Sequence, residues 1–553
     1  MKRILKKRFL WLSLIVVGLS IGLLSFTARN DFKIVKNLDI FYSLFRELNL
    51  YYVEDVDPEV LVKEAIDGML SSLDPYTTYI SPEDKENYDF MTTGHYGGVG
   101  AIIRTEDKSV IVVEPYQGFP ADKAGLKAGD IILKIDNNDA VGKNVKEVSE
   151  MLKGVPKTTV TVLVKKPFSN DTITYTLTRE EIIVKSVPYY KLIDNNIGYI
   201  RLDKFTQGAH IEMKAALSDL KAQGATSILL DLRNNPGGLL IEAVDIVNLF
   251  VEKGTTIVDT RGKITKFNNK YETRFEPVDT KIPMAVLVNG NSASASEIIA
   301  GALQDLDRAV IVGERTFGKG LVQTTRPLSY DAQLKVTSSK YYIPSGRCIQ
   351  KVNYSKNKSK EEDSSKVFFT KKGRKVYEAK GINPDIEEPA EELSKIAFAV
   401  LSKNVIFDFV NYYLYKNPIH PTLDSIQVSD ALYAEFCAFT QDKEIEYETE
   451  TYKAVKDLIK TAKDEKYYDL VTNELTNLEK LLALDKNNDL KIFEKELRQL
   501  IREELSVRLY YNSGLIHTTI SVDKQVAAAK KILINQKTYE EVFVPLHENT
   551  TSN

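Results

Sequence analysis

Between residues 185 and 350 short apolar runs alternate with amphipathic stretches, and no other feature of the sequence limits the fold as strongly. IGYIRL, SILLDLR, MAVLVNG and AVIVGE read as strands, and 209–222, 239–251 and 294–305 read as the helices between them. Strands alternating with crossover helices imply an α/β layer. The later run LKVTSSKYYIP has the texture of antiparallel β. Around this layer the character changes. Residues 33–90 carry apolar positions at helical spacing, with Asp57-Pro58 as a cap and first-turn proline. From about 95 come short β-branched runs, AIIR, VIVVEP, IILKID and TVTVLVKK, with Gly125 and Gly129 between them and a short amphipathic helix at 147–154. That reads as a small β-rich domain ending near 167. The segment 355–366 is a polar, solvated insertion, and from about 390 the chain reads as helical.

Chemistry concentrates in 284–323. A strand, Met284 to Val288, runs into a turn with serines at 292, 294 and 296, and a helix begins with Glu297. A serine on a strand-to-helix turn is exposed at a sheet edge, and the new helix offers backbone N–H groups to an oxyanion. Lys319 follows between two glycines in Phe317-Gly-Lys-Gly320. Burial disfavours a charged amine, so such a lysine can take a serine proton. Gln323 lies four residues on, on the lysine's side in a helical or an extended segment. Asp231-Leu-Arg-Asn-Asn-Pro-Gly-Gly238 follows the strand SILLDL, at a strand's C-terminal end, where open α/β sheets place their sites. Its paired glycines expose backbone N–H groups. The GKG lacks the spacing of a phosphate loop. Histidines 95, 210, 420, 517 and 547 have no motif around them, so a Ser-His-Asp triad has no evident base.

VLVNGNSASASEIIAGALQD, GERTFGKGLVQ, SSKYYIPSGRCIQ, DLRNNPGG and KGINPDIEEP together resemble the C-terminal processing (tail-specific) peptidase family over roughly residues 35–390. The resemblance implies a multidomain α/β chain: a crotonase- or tricorn-like α/β protease core with an inserted PDZ domain, an N-terminal helical segment and a C-terminal helical domain. The implied divisions are 1–29 signal peptide or membrane anchor, 30–94 N-terminal helical domain, 95–168 PDZ domain, 169–389 serine protease core and 390–553 C-terminal helical domain. It also implies a Ser–Lys endopeptidase with Ser294 as nucleophile, Lys319 as general base and Gln323 supporting the lysine. Oxyanion donors would be the backbone N–H groups of Ala295 and of Gly237 or Gly238, with Gly237 favoured. Ser292 and Ser296 would be turn and helix-cap residues. PADKAGLKAGDIILKID resembles the PDZ domain of these proteases. There Gly97, Gly98, Val99 and Gly100 would capture a peptide's terminal carboxylate, and the strand from Ala101 would pair with the peptide. The rival readings are a catalytically inactive PDZ scaffold of the cell envelope and, more remotely, a crotonase-type acyl-CoA enzyme.

Composition sets the remaining bounds. The chain has 553 residues, enough for three or four domains at about 100–200 residues each. Its net charge of −3 supplies no basic field for nucleic acid. Two distant cysteines, Cys348 and Cys437, exclude a disulfide framework and CxxC zinc sites. The expected reaction needs no cofactor. Lys2, Arg3, Lys6, Lys7 and Arg8 precede the uncharged run Phe9–Phe26, an export signal or anchor. The poor cleavage site near Ala28 favours an uncleaved anchor in the inner membrane, with the body on the periplasmic side of the envelope. Expected partners are proteins or peptides with free C-termini, and self-association is compatible with the sequence. Asp485, Asn487, Asp489 and Glu496 mimic a calcium loop, but Leu490 stands where that loop needs glycine, so a surface helix start is expected.

Overall fold

The computed structural model describes residues 31–545 apart from Asn170, 355–359, 362–365, Ala379, His420 and 483–484. The export signal or anchor at 1–29 and most of the polar insertion lie outside the described residues. The chain divides into two compact units, one ending at Tyr79 and one beginning at Ile80. The first contains helix α1 over 31–51 and α2, Pro58–Ser71. Asp57 caps α2 by accepting from the Glu59 amide at 2.8 Å, and Pro58 occupies the first turn, where its missing N–H costs nothing. Among the described residues, no helix is long and apolar enough to cross a membrane.

The second unit opens with α3, Lys85–Thr93, closed by Gly94 at φ 75°. Strand β1, His95–Gly98, leads into a five-strand sheet of β2 (Ala101–Glu106), β3 (Ser109–Pro115), β4 (Ile131–Ile135), β6 (Thr159–Lys165) and β7 (Thr172–Thr178), in that order, with the short β5 (Asn138–Asp139) beside β4. Helix α4 is Pro120–Ala124, and α5, Val145–Leu152, starts on a capping box made by Asn144 and Glu147. The pleat of β6 sends Val160, Val162 and Val164 inward, where they meet Val110, Ile132, Val148 and Leu177. This domain runs past the boundary expected at 168. β7 is its last sheet strand, and β8, Glu180–Ile183, returns to pair with β1. The polar alternation of TITYTLT gives only one buried side chain, Leu177, which hid the strand in the sequence.

The α/β layer is a six-strand sheet ordered β9 (Tyr189–Ile193), β10 (Ile197–Arg201), β11 (Ser227–Asp231), β14 (Met284–Val288), β15 (Val310–Gly313) and β18 (Ile386–Glu387). Only β9–β10 is antiparallel. Helices α6 (Ala209–Ala222), α7 (Leu240–Val247) and α8 (Ala295–Asp305) cover one face, over Ile228, Leu230, Val286 and Ile311. A second sheet of β16 (Leu321–Pro327), β17 (Gln333–Tyr342), β12 (Thr256–Gly262) and β13 (Lys270–Glu272) is antiparallel, as the sequence suggests.

From 395 the chain is helical: α9 (Lys395–Ser402), α10 (Val405–Lys416), α11 (Asp430–Phe439), α12 (Glu450–Asp464), α13 (Thr472–Leu482), α14 (Lys486–Ile492), α15 (Glu494–Ile520), α16 (Lys524–Ile534) and α17 (Gln536–Glu541). Asp485 caps α14, so the calcium-like spacing is a helix start. Residues up to about 510 enclose a core of their own around Phe409, Phe436, Leu497 and Ile501. The final segment does something else. Ile516, Val526, Ala529, Leu533 and Phe543 lie on the other face of the six-strand sheet, against Tyr199, Leu229, Ala285, Leu287 and Val312. Residues 390–553 are therefore not a separate addition, because their end supplies the third layer of the α/β sandwich. That explains the unbroken apolar runs Ile228–Leu230 and Met284–Val288: both faces of those strands are buried.

Candidate active site

The register aligns Arg201 with Asp231, Asp231 with Leu287, and Val288 with Gly313, so neighbouring parallel strands end together. Three loops leave that edge: 232–239, 289–294 and 314–320. Hydrogen bonds lace the first two together. Ser292 Oγ donates to the Leu232 carbonyl at 2.9 Å, the Ala293 amide to the Asn235 carbonyl at 3.1 Å, and Ser296 Oγ to the same carbonyl at 2.9 Å. Ser292 and Ser296 thus clamp the Asp231–Gly238 loop, a stronger role than turn and cap. Both are fully buried and their hydroxyls are satisfied, which leaves the half-buried Ser294 as the exposed member of the three.

Ser294 sits at φ 55°, ψ −111°, a conformation rare for a residue with a side chain. Its amide donates to Glu297 Oε2 at 2.9 Å. The Lys319 amide donates to the same oxygen at 2.8 Å. Glu297 Oε1 accepts from Thr316 Oγ1 at 2.6 Å and from the Gly318 amide at 2.7 Å. One buried carboxylate therefore ties the serine turn to the lysine loop, and the two backbones lie within the span of two hydrogen bonds. Burial pushes the Glu297 carboxyl above its ordinary range, and the four donors only partly offset it. Phe317 N also bonds the Ser292 carbonyl at 3.1 Å, and the buried Tyr341 hydroxyl reaches the Ser294 carbonyl at 3.3 Å. In the sequence alone Glu297 marks only the start of a helix. The Ser-x-x-Glu spacing is the signal that could have marked it.

Gln323 lies on β16 opposite Thr337, and its Nε2 donates to Thr337 Oγ1 at 3.2 Å. The glycine pair is brought onto the serine turn. A Cβ on Gly237 would stand 2.7 Å from the Ala293 carbonyl oxygen and 2.9 Å from both the Ala295 amide and Ser294 Cβ. The Gly237 amide, favoured as oxyanion donor, instead donates to Asn235 Oδ1 at 2.9 Å. Asn235 is held there by its own bond to the Leu202 carbonyl at 2.7 Å. The amides of Gly238 and Ala295 have no protein acceptor among the described residues. Gly237 has φ +100°, so alanine there adds strain to the clash. Gly237→Ala is expected to displace the Ser294 turn and lower kcat by about 100-fold. Steady-state cleavage rates alongside a thermal melt would separate this from unfolding.

Beneath the loops lies a buried charge network. The Tyr199 hydroxyl and the Arg201 and Arg233 guanidiniums all reach Asp231, which is fully buried. Burial alone would raise its carboxyl, but the two arginines reverse that and hold it far below the usual aspartate range. The described histidines engage elsewhere: His95 with Glu181, His210 with Glu242 and His517 with Asp424. Among the described residues no group of three or more His, Cys, Asp or Glu could hold a metal ion.

The PDZ loop differs in part from expectation. Gly97 and Gly98 lie in β1, paired with Glu181 and Glu180, and the Gly97 carbonyl accepts from Gly154. Those two glycines close the domain instead of offering a free loop, and a Cβ at Gly97 would come 2.2 Å from the Gly154 oxygen. Val99 and Gly100 lie beyond β1. Their carbonyls bond Ala121 and Tyr116, and their amides have no protein acceptor among the described residues. Ala101 begins β2, which is the edge strand of its sheet, with α5 against it.

Comparison with known proteins accounts for each of these parts. The family model described as Peptidase family S41 matches residues 196–357, which hold all three loops. A PDZ domain matches 111–166, an "Activating protease CtpB N-terminal domain" 27–84, and a "Probable PDZ-protease, C-terminal helical domain" 396–533. The chain is 38% identical over 346 residues to the carboxy-terminal-processing protease of Bartonella bacilliformis, covering 62% of this chain and 78% of that protein. It is 36% identical over 314 residues to a "Probable CtpA-like serine protease" of Staphylococcus epidermidis, covering 57% of this chain and 63% of that one, so it spans less than two thirds of that relative. The solved photosystem II D1 C-terminal processing protease is 32% identical, with 63% of this chain and 86% of that chain covered and a TM-score of 0.36. With more than three quarters of the Bartonella protease matched at this identity, and with the PDZ, N-terminal and C-terminal segments each recognised in place, the chain belongs to peptidase family S41 and is a serine-type peptidase.

Proposed function

We propose that the protein is an exported endopeptidase that engages the free C-terminus of a polypeptide through its PDZ domain and cuts that polypeptide with a Ser294–Lys319 dyad. The observation that carries this reading is Glu297. A single buried carboxylate holds the Ser294 and Lys319 amides together, an arrangement that a binding scaffold does not need. Ser294 Oγ attacks the scissile carbonyl carbon as neutral Lys319 takes its proton. The oxyanion is met by the Ala295 amide and by the glycine pair, of which Gly238 has an unengaged amide. The C–N bond breaks, and Lys319 returns the proton to the leaving amine. Water then attacks the acyl carbon, giving a proton to Lys319, and the C–Oγ bond breaks as Lys319 returns that proton to Oγ, which restores Ser294 and the neutral amine. Gln323, close in sequence on β16, supports the lysine side. A base that must be neutral gives a rate that rises with pH.

The PDZ part of the reading rests on geometry of the same kind. The unengaged Val99 and Gly100 amides sit at the head of edge strand β2, so a terminal carboxylate meets the amides and the peptide adds a strand along β2. The basic start and apolar run at 2–26 support delivery to the cell envelope, with the body on the periplasmic side. An unfolded polypeptide with an apolar C-terminal residue is the appropriate substrate. Converting its carboxylate to an amide is expected to raise KM about 10-fold or more while leaving kcat within about twofold, from loss of a charge-assisted interaction. Equal KM for acid and amide would contradict recognition of the terminus.

A further inference from the structure

We infer that Asp523 and Gln525, at the start of α16, are positioning residues for the peptidase reaction, acting through Arg233 on the loop that carries Gly237. The inference rests on the reaction assigned above to Ser294 and goes beyond it, because it gives the C-terminal helical segment a part in that reaction.

Arg233 links two elements far apart in sequence. One edge of its guanidinium is spent on Asp231, with Nη2 to Oδ2 at 2.6 Å and Nε to Oδ1 at 3.0 Å. The other edge is spent on α16, with Nη1 donating to Asp523 Oδ2 at 2.6 Å and to Gln525 Oε1 at 2.8 Å. The side chain is only 14% exposed, so water does not readily replace either partner. Gln525 cannot swing away freely, because its Nε2 donates to the Glu388 carbonyl at 2.7 Å. Asp523 is fixed as well, since Oδ1 caps α16 by accepting from the Val526 amide at 3.0 Å. The helix behind them is an anchor: Val526, Ala529 and Leu533 are seated on the sheet that carries β10, β11 and β14.

The other end of the link is the reacting edge. The Arg233 carbonyl accepts from Arg201 Nη2 at 2.7 Å, and its amide donates to Asp231 Oδ1 at 3.0 Å. Asn234 and Asn235 come next, bonded to Asn289 and Ala293 on the serine loop, and Gly237 follows, pressed on Ser294 and Ala295. A guanidinium has a planar, two-edged geometry, so holding both edges fixes the place of the backbone it grows from. Losing the α16 edge leaves Arg233 pulled toward Asp231 alone, and the loop carrying the oxyanion glycines shifts with it.

Asp523→Asn is the informative variant in the full-length protein. It keeps an Oδ1 acceptor for the helix cap and replaces the charged acceptor that faces Arg233 Nη1 with an NH2 donor. The expected result is a kcat lowered about 10-fold with KM within about twofold. The thermal unfolding midpoint stays at that of the wild type, and Asp523→Glu restores part of kcat. A wild-type kcat for Asp523→Asn, measured beside an inert Ser294→Ala control, would overturn this inference alone. So would a kcat loss that merely follows a fall in unfolding midpoint, since that marks a structural role. A Ser294→Ala protein that cuts as fast as wild type would overturn the assigned reaction and this inference with it.

Discussion

Glu297→Ala is expected to lower kcat by about 1,000-fold and to destabilise the fold, although the side chain touches no substrate. The carboxylate is completely buried and accepts four hydrogen bonds, from Ser294 N, Lys319 N, Gly318 N and Thr316 Oγ1. Alanine removes the acceptor of all four and strands the buried Gly318 amide and Thr316 hydroxyl, and a stranded buried donor costs about 1–3 kcal/mol. Relaxation shares part of that loss, so a drop in stability of about 3 kcal/mol or more is expected. The rate falls further than stability accounts for, because Ser294 is held at an unfavourable φ by its surroundings, and the Glu297 bond to its amide is one of the restraints. Glu297→Gln keeps the volume but turns an NH2 group toward donors, so it rescues little. Chemical unfolding and single-turnover cleavage on the same preparations check both parts. A variant that cuts within about tenfold of wild type would show that Glu297 does not hold the site together.

The second large effect concerns Lys319. Lys319→Ala is expected to lower kcat by about 10⁴-fold, as removal of a general base does in serine hydrolases. Lys319→Arg makes the sharper comparison. It keeps a positive charge and much of the volume, yet a guanidinium does not lose its proton at any pH the protein survives. If Lys319 acts as a base, the arginine variant is as inactive as the alanine one. If the lysine only supplies positive charge near Ser294, the arginine variant keeps a large part of the rate. The pH profile separates the cases further: the wild-type rate rises with pH as the amine loses its proton, and residual activity in the arginine variant lacks that limb.

Much of this organisation is legible in the sequence because it follows from local pattern. Helix α6 spans the range read for it, Ala209–Ala222, and α8 starts where the small-residue turn ends. Apolar continuity marks β11 and β14, and antiparallel texture marks β17. What the sequence hides is what depends on distant partners. Nothing local reveals that Val526, Ala529 and Leu533 belong to the peptidase sheet, because an amphipathic helix looks alike whichever sheet receives it. The strand β7 is polar at most positions, so its pairing with β6 is visible only in three dimensions. At the site, Ser294, Lys319 and the glycine pair are marked by their turns, whereas Glu297 and Arg233 draw their importance from carboxylates and amides up to 292 residues away.

The hydrogen bonds that bind Ser294 into its turn engage its backbone, whereas the role proposed for it as nucleophile concerns its hydroxyl. The most direct test is to mix wild-type and Ser294→Ala proteins, each shown to be folded, with one unfolded polypeptide bearing an apolar C-terminus, and to count cleaved peptide bonds by mass spectrometry over time. The account predicts defined fragments from the wild type and none above the uncatalysed background from Ser294→Ala. The same fragments from Ser294→Ala, at a rate within about tenfold of wild type, would contradict it.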